Sequence, residues 1–88
     1  MSPASPNPAR LGTVLRFGLE SASDVRLAVF DIRGRRVREF LGGRLPAGEQ
    51  SVAWDLLDQQ GRRVPHGVYF ARLTLPNQVL TRMIVLAP

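Results

Sequence analysis

The sequence predicts an all-β fold, a two-layer antiparallel sandwich of about seven strands. Apolar residues recur at every second position through most of the chain, the period of a strand buried on one face. Turn residues interrupt these runs about every 8–12 residues, the spacing of a sandwich. No segment carries the 3.6-residue period of a helix. With 88 residues there is one domain. A domain of this size buries only about 60–65% of the surface its unfolded chain exposes, so few residues are spare for a deep cleft.

Residues 1–10 contain Pro3, Pro6 and Pro8 among small polar neighbours. They read as a Pro-rich linker or entry arm, which leaves residues 11–88 as the domain. The first strand follows Thr13, with Leu15, Phe17 and Leu19 on one face, and Ser21 to Asp24 break it. The second has Val25, Leu27 and Val29 on one face. Asp31-Ile32-Arg33-Gly34 is a turn, and Arg36 to Leu41 is the third strand, ended by Gly42-Gly43. Leu45-Pro46-Ala47-Gly48 turns the chain, with proline presetting φ. A fourth strand from Gln50 to Leu57 puts Val52, Trp54 and Leu56 on one face. Asp58-Gln59-Gln60-Gly61 is a loop, and a short fifth strand is expected around Arg63-Val64. The last two strands are Val68 to Leu75, with Tyr69, Ala71 and Leu73 on one side, and Val79 to Leu86.

Composition excludes several classes of function. There is no cysteine, so disulfides and thiolate metal sites are out. No run of about twenty apolar residues is present to span a membrane as a helix. Residues 1–6 lack the basic start and apolar centre of a signal peptide, so an export signal would lie outside this chain. The net charge of +5 is carried by arginine alone, whose planar fork suits phosphate or carboxylate. Arg33, Arg35, Arg36 and Arg38 form the densest run and are candidates for an anionic-surface patch. On a regular strand Arg36 and Arg38 point one way and Val37 the other. The run lacks interleaved aromatics for base stacking, so nucleic acid is not an expected partner.

No residue carries a catalytic signature. Asp31, Asp55 and Asp58 do not have calcium-loop spacing, and aspartate commonly starts turns by accepting backbone N–H bonds. His66 is the lone histidine, without the further ligands zinc requires, and reads as an exposed turn residue. Trp54 and Tyr69 read as core aromatics, with the Tyr69 hydroxyl tying a loop. Gly34, Gly48, Gly61 and Gly67 read as backbone requirements. None precedes a helix, so no nucleotide loop is formed. No catalytic, metal-binding or cofactor-binding residue, and no cofactor, is expected.

The order of these motifs resembles a known family. Pro6-Asn7-Pro8 is followed by Leu15-Arg16-Phe17-Gly18-Leu19 and by Phe30-Asp31-Ile32-Arg33-Gly34-Arg35. Pro46-Ala47-Gly48, Trp54-Asp55, Asp58 to Gly61 and Gly67-Val68-Tyr69 follow, and Arg82-Met83-Ile84-Val85-Leu86 closes the series. Together they resemble the immunoglobulin-like domain of the flagellar hook-capping protein, and more closely the C-terminal sorting domains of type IX secretion cargo. The chain departs from that pattern at Leu56, His66 and Arg82, where relatives often carry glycine, a small residue and lysine.

The resemblance implies an immunoglobulin-like sandwich acting as a non-catalytic C-terminal sorting or attachment module of an exported bacterial protein. It implies an extracellular or cell-surface location reached through the periplasm. The partners implied are the secretion machinery or neighbouring protein domains. Pro6, Asn7 and Pro8, with Arg82, Met83 and Val85 of the last strand, are the recognition candidates. The alternative is a structural module that assembles extracellularly, with self-association through sheet edges.

Overall fold

The structure, a computed structural model describing residues 1–88, contains six β-strands and no helix. They are β1 (Thr13–Leu19), β2 (Ser23–Asp31), β3 (Arg36–Leu45), β4 (Gly48–Trp54), β5 (Gly67–Leu75) and β6 (Gln78–Leu86). All pairings are antiparallel. β1 and β4 form a two-stranded sheet, and the other four form a sheet in the order β3-β2-β5-β6.

The alternation in the sequence decides which faces meet. Leu15, Phe17 and Leu19 of β1 are buried with Val25, Leu27 and Val29 of β2. Tyr69, Ala71 and Leu73 of β5 and Ile84 and Leu86 of β6 complete one contiguous core. Each large aliphatic residue removed from water this way contributes about 1.5–3 kcal/mol. Trp54 lies at the centre, only 1% exposed. Its ring meets Phe40 and Tyr69 edge-on, with centroids 6.4 and 5.8 Å away, a favoured aromatic geometry. Its indole Nε1 donates to the Leu57 carbonyl at 3.0 Å.

The strand count is six rather than the expected seven. Leu57 and Arg63 form a single bridge, and Val64 N–H donates to the Leu56 carbonyl at 3.1 Å. These two contacts are all that the expected strand at Arg63-Val64 makes of a ladder. β4 stops at Trp54, short of Leu57, because Leu56 takes φ of 65° and turns the chain while its side chain stays buried. β3 runs on through Gly42-Gly43 to Leu45. Gly43 remains paired with Val25 in a left-handed backbone conformation that glycine tolerates.

Residues 1–10 lie along the sandwich, with Ala4 and Ala9 buried. The peptide bonds before Pro6 and Pro8 are cis. Ser2 N–H donates to the Arg16 carbonyl, and Ser5 and Val14 exchange backbone bonds, so residues 2–5 flank β1. Ala9 N–H then donates to the Val85 carbonyl and Ala87 N–H to the Ala9 carbonyl, both at 2.8 Å. The arm thus crosses from the small sheet to the large one. Thr13 hydroxyl donates to the Pro6 carbonyl at 2.7 Å and fixes the crossing.

Candidate functional site

The arm and the last strand, which carry the recognition candidates, meet directly. Asn7 uses its side-chain amide as a short strand. Its Nδ2 donates to the Met83 carbonyl at 3.0 Å, and its Oδ1 accepts the Val85 N–H at 2.9 Å. Both backbone groups belong to the open edge of β6, which has a strand partner only in β5. Pro6 and Pro8 on either side of Asn7 are exposed.

The cross-strand register sorts the other candidates by face. Met83 stands opposite Phe70, which stands opposite Phe30, and Val85 stands opposite Val68. These five apolar residues lie on the outer face of the large sheet, and Met83 is 54% exposed. Arg82 stands opposite the buried Ala71 and belongs to the other face. Beside the apolar ladder Arg72 stacks on Phe30, its guanidinium carbon 4.3 Å from the ring centroid. The face therefore combines a ladder of aromatic and aliphatic side chains with a cation that no carboxylate neutralises.

The four arginines of the densest basic run do not form one patch. β3 carries extra residues at Val37 and Phe40, where its register against β2 shifts. A bulge of this kind displaces the alternation. Arg36 then stands opposite Phe30 and Arg38 opposite Val29, on opposite faces. Arg36 pairs with Glu39 at 2.7 Å. Arg38 reaches Asp55 and the Leu57 carbonyl and lies 5.2 Å over the Phe40 ring. Arg35 pairs with Asp31, and only Arg33 has no carboxylate partner.

The aspartates build turns. Asp31 Oδ1 accepts the N–H groups of Arg33 and Arg35, and Asp58 Oδ1 accepts those of Gln60 and Arg62. Gly34 and Gly61 hold φ of 82° and 81° at matching positions. The two loops are copies of one device, written twice as Asp-x-x-Gly-Arg. That repeated pentapeptide is the sequence signal that identifies them as a pair. The backbone bond from Arg35, then those from Arg33 and the Arg35 side chain, hold the Asp31 carboxyl below its ordinary range against a desolvation that raises it. Asp58 is lowered in the same way, first by the Arg62 N–H. Asp55 is partly desolvated, which raises it, but the Leu57 N–H and Arg38 outweigh that.

Tyr69 hydroxyl donates to the Pro65 carbonyl at 2.7 Å, and burial raises its pKa. His66 is exposed in the turn before β5. No three His, Asp or Glu side chains gather as a metal site.

The carboxylate shifts set a pH dependence. A depressed folded-state pKa contributes stability above the unfolded value, and that stability is lost as pH falls through the folded value. Thermal stability should therefore fall from about pH 4 downward, where free aspartate begins to protonate. Replacing Asp31 and Asp58 together by Asn should lower the melting temperature at pH 7 and flatten its decline between about pH 4 and 2. A decline as steep as that of the parent chain would assign it to other groups.

Residues 10–78 match the family described as the FlgD Ig-like domain. No curated protein is similar enough to match the chain. Among solved structures, dimeric latent PorU from Porphyromonas gingivalis superposes with a TM-score of 0.71 at 21% identity, covering 96% of this chain and 9% of that one. PorZ of the same organism, a bacterial surface component of the type IX secretion system, gives 0.69 at 21% identity over 97% of this chain and 11% of its own. FlgD from P. aeruginosa gives 0.60 at 24% identity over 84% and 59%. The chain thus spans about a tenth of PorU and of PorZ and less than two thirds of FlgD. These likenesses establish the fold as an immunoglobulin-like sandwich.

Proposed function

The chain belongs to the FlgD Ig-like domain family, and from that premise we propose that it is a non-catalytic sorting or attachment module of an exported bacterial protein. The observation that carries this reading is the clamp of Asn7 on Met83 and Val85. It makes one continuous surface of the arm and the last strand, the two elements that the resemblance to sorting domains marks for recognition. The outer face beside the clamp offers what a protein partner needs. An apolar ladder supplies desolvation, and Arg72 supplies a charge for orientation. The likeness of the fold to parts of PorU and PorZ supports a setting in type IX secretion. The location proposed is the cell surface or the medium, reached through the periplasm.

The test fuses residues 1–88 to the C-terminus of a periplasmic reporter in a type IX-competent host. The reporter should reach the surface or medium, and it should stay in the periplasm in a strain lacking the machinery. Met83→Glu alters an exposed side chain, so it should block export while leaving circular dichroism and melting unchanged. Periplasmic retention of the parent fusion in the competent host would overturn the reading. A structural assembly role is the second reading, favoured by the condition of one sheet edge.

A further inference from the structure

A strand edge with free backbone groups invites pairing, and proteins cover, charge, kink or bulge such edges. This sandwich has four edges, and three are managed. β1 is flanked by residues 2–5. β6 is clamped by Asn7 and Ala9. β3 carries two bulges, and Gln59 closes its first half, donating from its N–H to the Val37 carbonyl and accepting the Glu39 N–H on Oε1 at 2.8 Å. Its second half holds Gly42, Gly43 and Arg44.

β4 is neither covered, kinked nor bulged. Its seven residues, Gly48–Trp54, contain no proline, and their register against β1 is unbroken. None of the backbone bonds outside the ladders involves β4. Its only charge is Glu49.

We propose that β4 pairs antiparallel with β4 of a second copy of this chain, in the register that places Gln50 on the two-fold axis. Charge complementarity selects that occupant and that register. Arg16 stands opposite Ser51 on the outer face of the small sheet, is exposed, and has no carboxylate partner. With Gln50 on the axis, Glu49 of one copy stands opposite Ser51 of the other. Each row across the joined sheet then reads Arg16, Ser51, Glu49. The two charged residues lie two strand spacings apart, about 10 Å. Their long side chains meet over the small serine between them once Glu49 turns from its place over Gly18 of its own copy. The axis repeats the row, so two ion pairs form. The result is a four-stranded sheet in the order β1-β4-β4-β1, in place of a two-stranded one that is marginal alone. The net charge of +5 on each copy opposes association at long range, but that repulsion is screened beyond about 8 Å at physiological salt. This pairing is independent of the sorting role, and each can fail without the other.

Sedimentation equilibrium of the 88-residue chain tests it. The parent chain should form a dimer whose dissociation constant rises about tenfold or more in Arg16→Glu alone or in Glu49→Arg alone, since two pairs become two repulsions. Mixing the two single variants should restore the dimer. The introduced glutamate of one copy then meets the introduced arginine of the other in one row, and the unchanged Arg16 and Glu49 meet in the next. Both sites are exposed, so melting of the monomer reports that the variants still fold. Hydrogen exchange should slow at residues 48–52 as concentration rises. A monomer at every concentration, a dimer indifferent to both swaps, or a mixture no tighter than its components would overturn the proposal.

Discussion

Replacing Trp54 by Ala should cost about 3–5 kcal/mol, the range for truncating a fully buried large aromatic. A domain of this length has a total stability on the order of 4–13 kcal/mol. The variant should therefore lose roughly a quarter of its stability at least and be mostly unfolded at worst. Three losses add at one place. The cavity opens where Phe40 and Tyr69 both pack edge-on against the indole. The Trp54 side chain bridges the two sheets, since β4 belongs to the small one and β3 and β5 to the large one. The bond from Nε1 to the Leu57 carbonyl also disappears. That carbonyl is not orphaned, because Arg38 donates to it at 3.0 Å. Trp54→Phe should accordingly cost much less, about 1–2 kcal/mol, as a change of volume without an unpaired acceptor. Urea unfolding followed by circular dichroism measures both. A cost below about 1 kcal/mol for the alanine variant would move the centre of the core elsewhere.

The core could be read directly because one-sided strands write burial as alternation. Leu15-Phe17-Leu19 and Tyr69-Ala71-Leu73 are buried where that rule puts them. The rule fails where the backbone inserts a residue. The bulges at Val37 and Phe40 send Arg36 and Arg38 to opposite faces, and nothing in Arg-Val-Arg announces a bulge. The end of β4 was hidden for a related reason. Leu56 continues the apolar alternation of Val52 and Trp54 and is fully buried, but it is buried from a turn. Side-chain identity records that a residue is covered, not whether a ladder or a loop brought it there. The contact between arm and last strand was not legible, since the family resemblance marks both elements as recognition candidates without joining them. Its chemistry lies in one amide, Asn7, that imitates backbone, and Asn between two prolines otherwise reads as a loop.

Ala9→Glu should measure what holds the arm in place. Ala9 is fully buried, and its backbone joins Val85 and Ala87. A carboxylate there would be buried without a partner, at a cost of several kcal/mol. The chain has a cheaper escape, which is to release residues 1–9 into solvent. The loss of stability is therefore capped at the free energy of docking the arm. Eight hydrogen bonds are given up, five through backbone partners of Ser2, Ser5, Val14, Ala9 and Ala87, two at Asn7 and one from Thr13. The net loss should be smaller than the eight bonds at about 1 kcal/mol each, because the released arm regains its conformational entropy. Deleting residues 1–9 should give the same value, because both variants reach the same undocked state. Trypsin supplies a second readout at Arg10, whose carbonyl accepts a bond from Arg63 and whose guanidinium bonds the Pro88 carbonyl. Cleavage after Arg10 should be slow in the parent chain and fast in Ala9→Glu. If the substitution is neutral and the parent is cut readily, the arm is a free tether, and Asn7 does not form one surface with the last strand in solution.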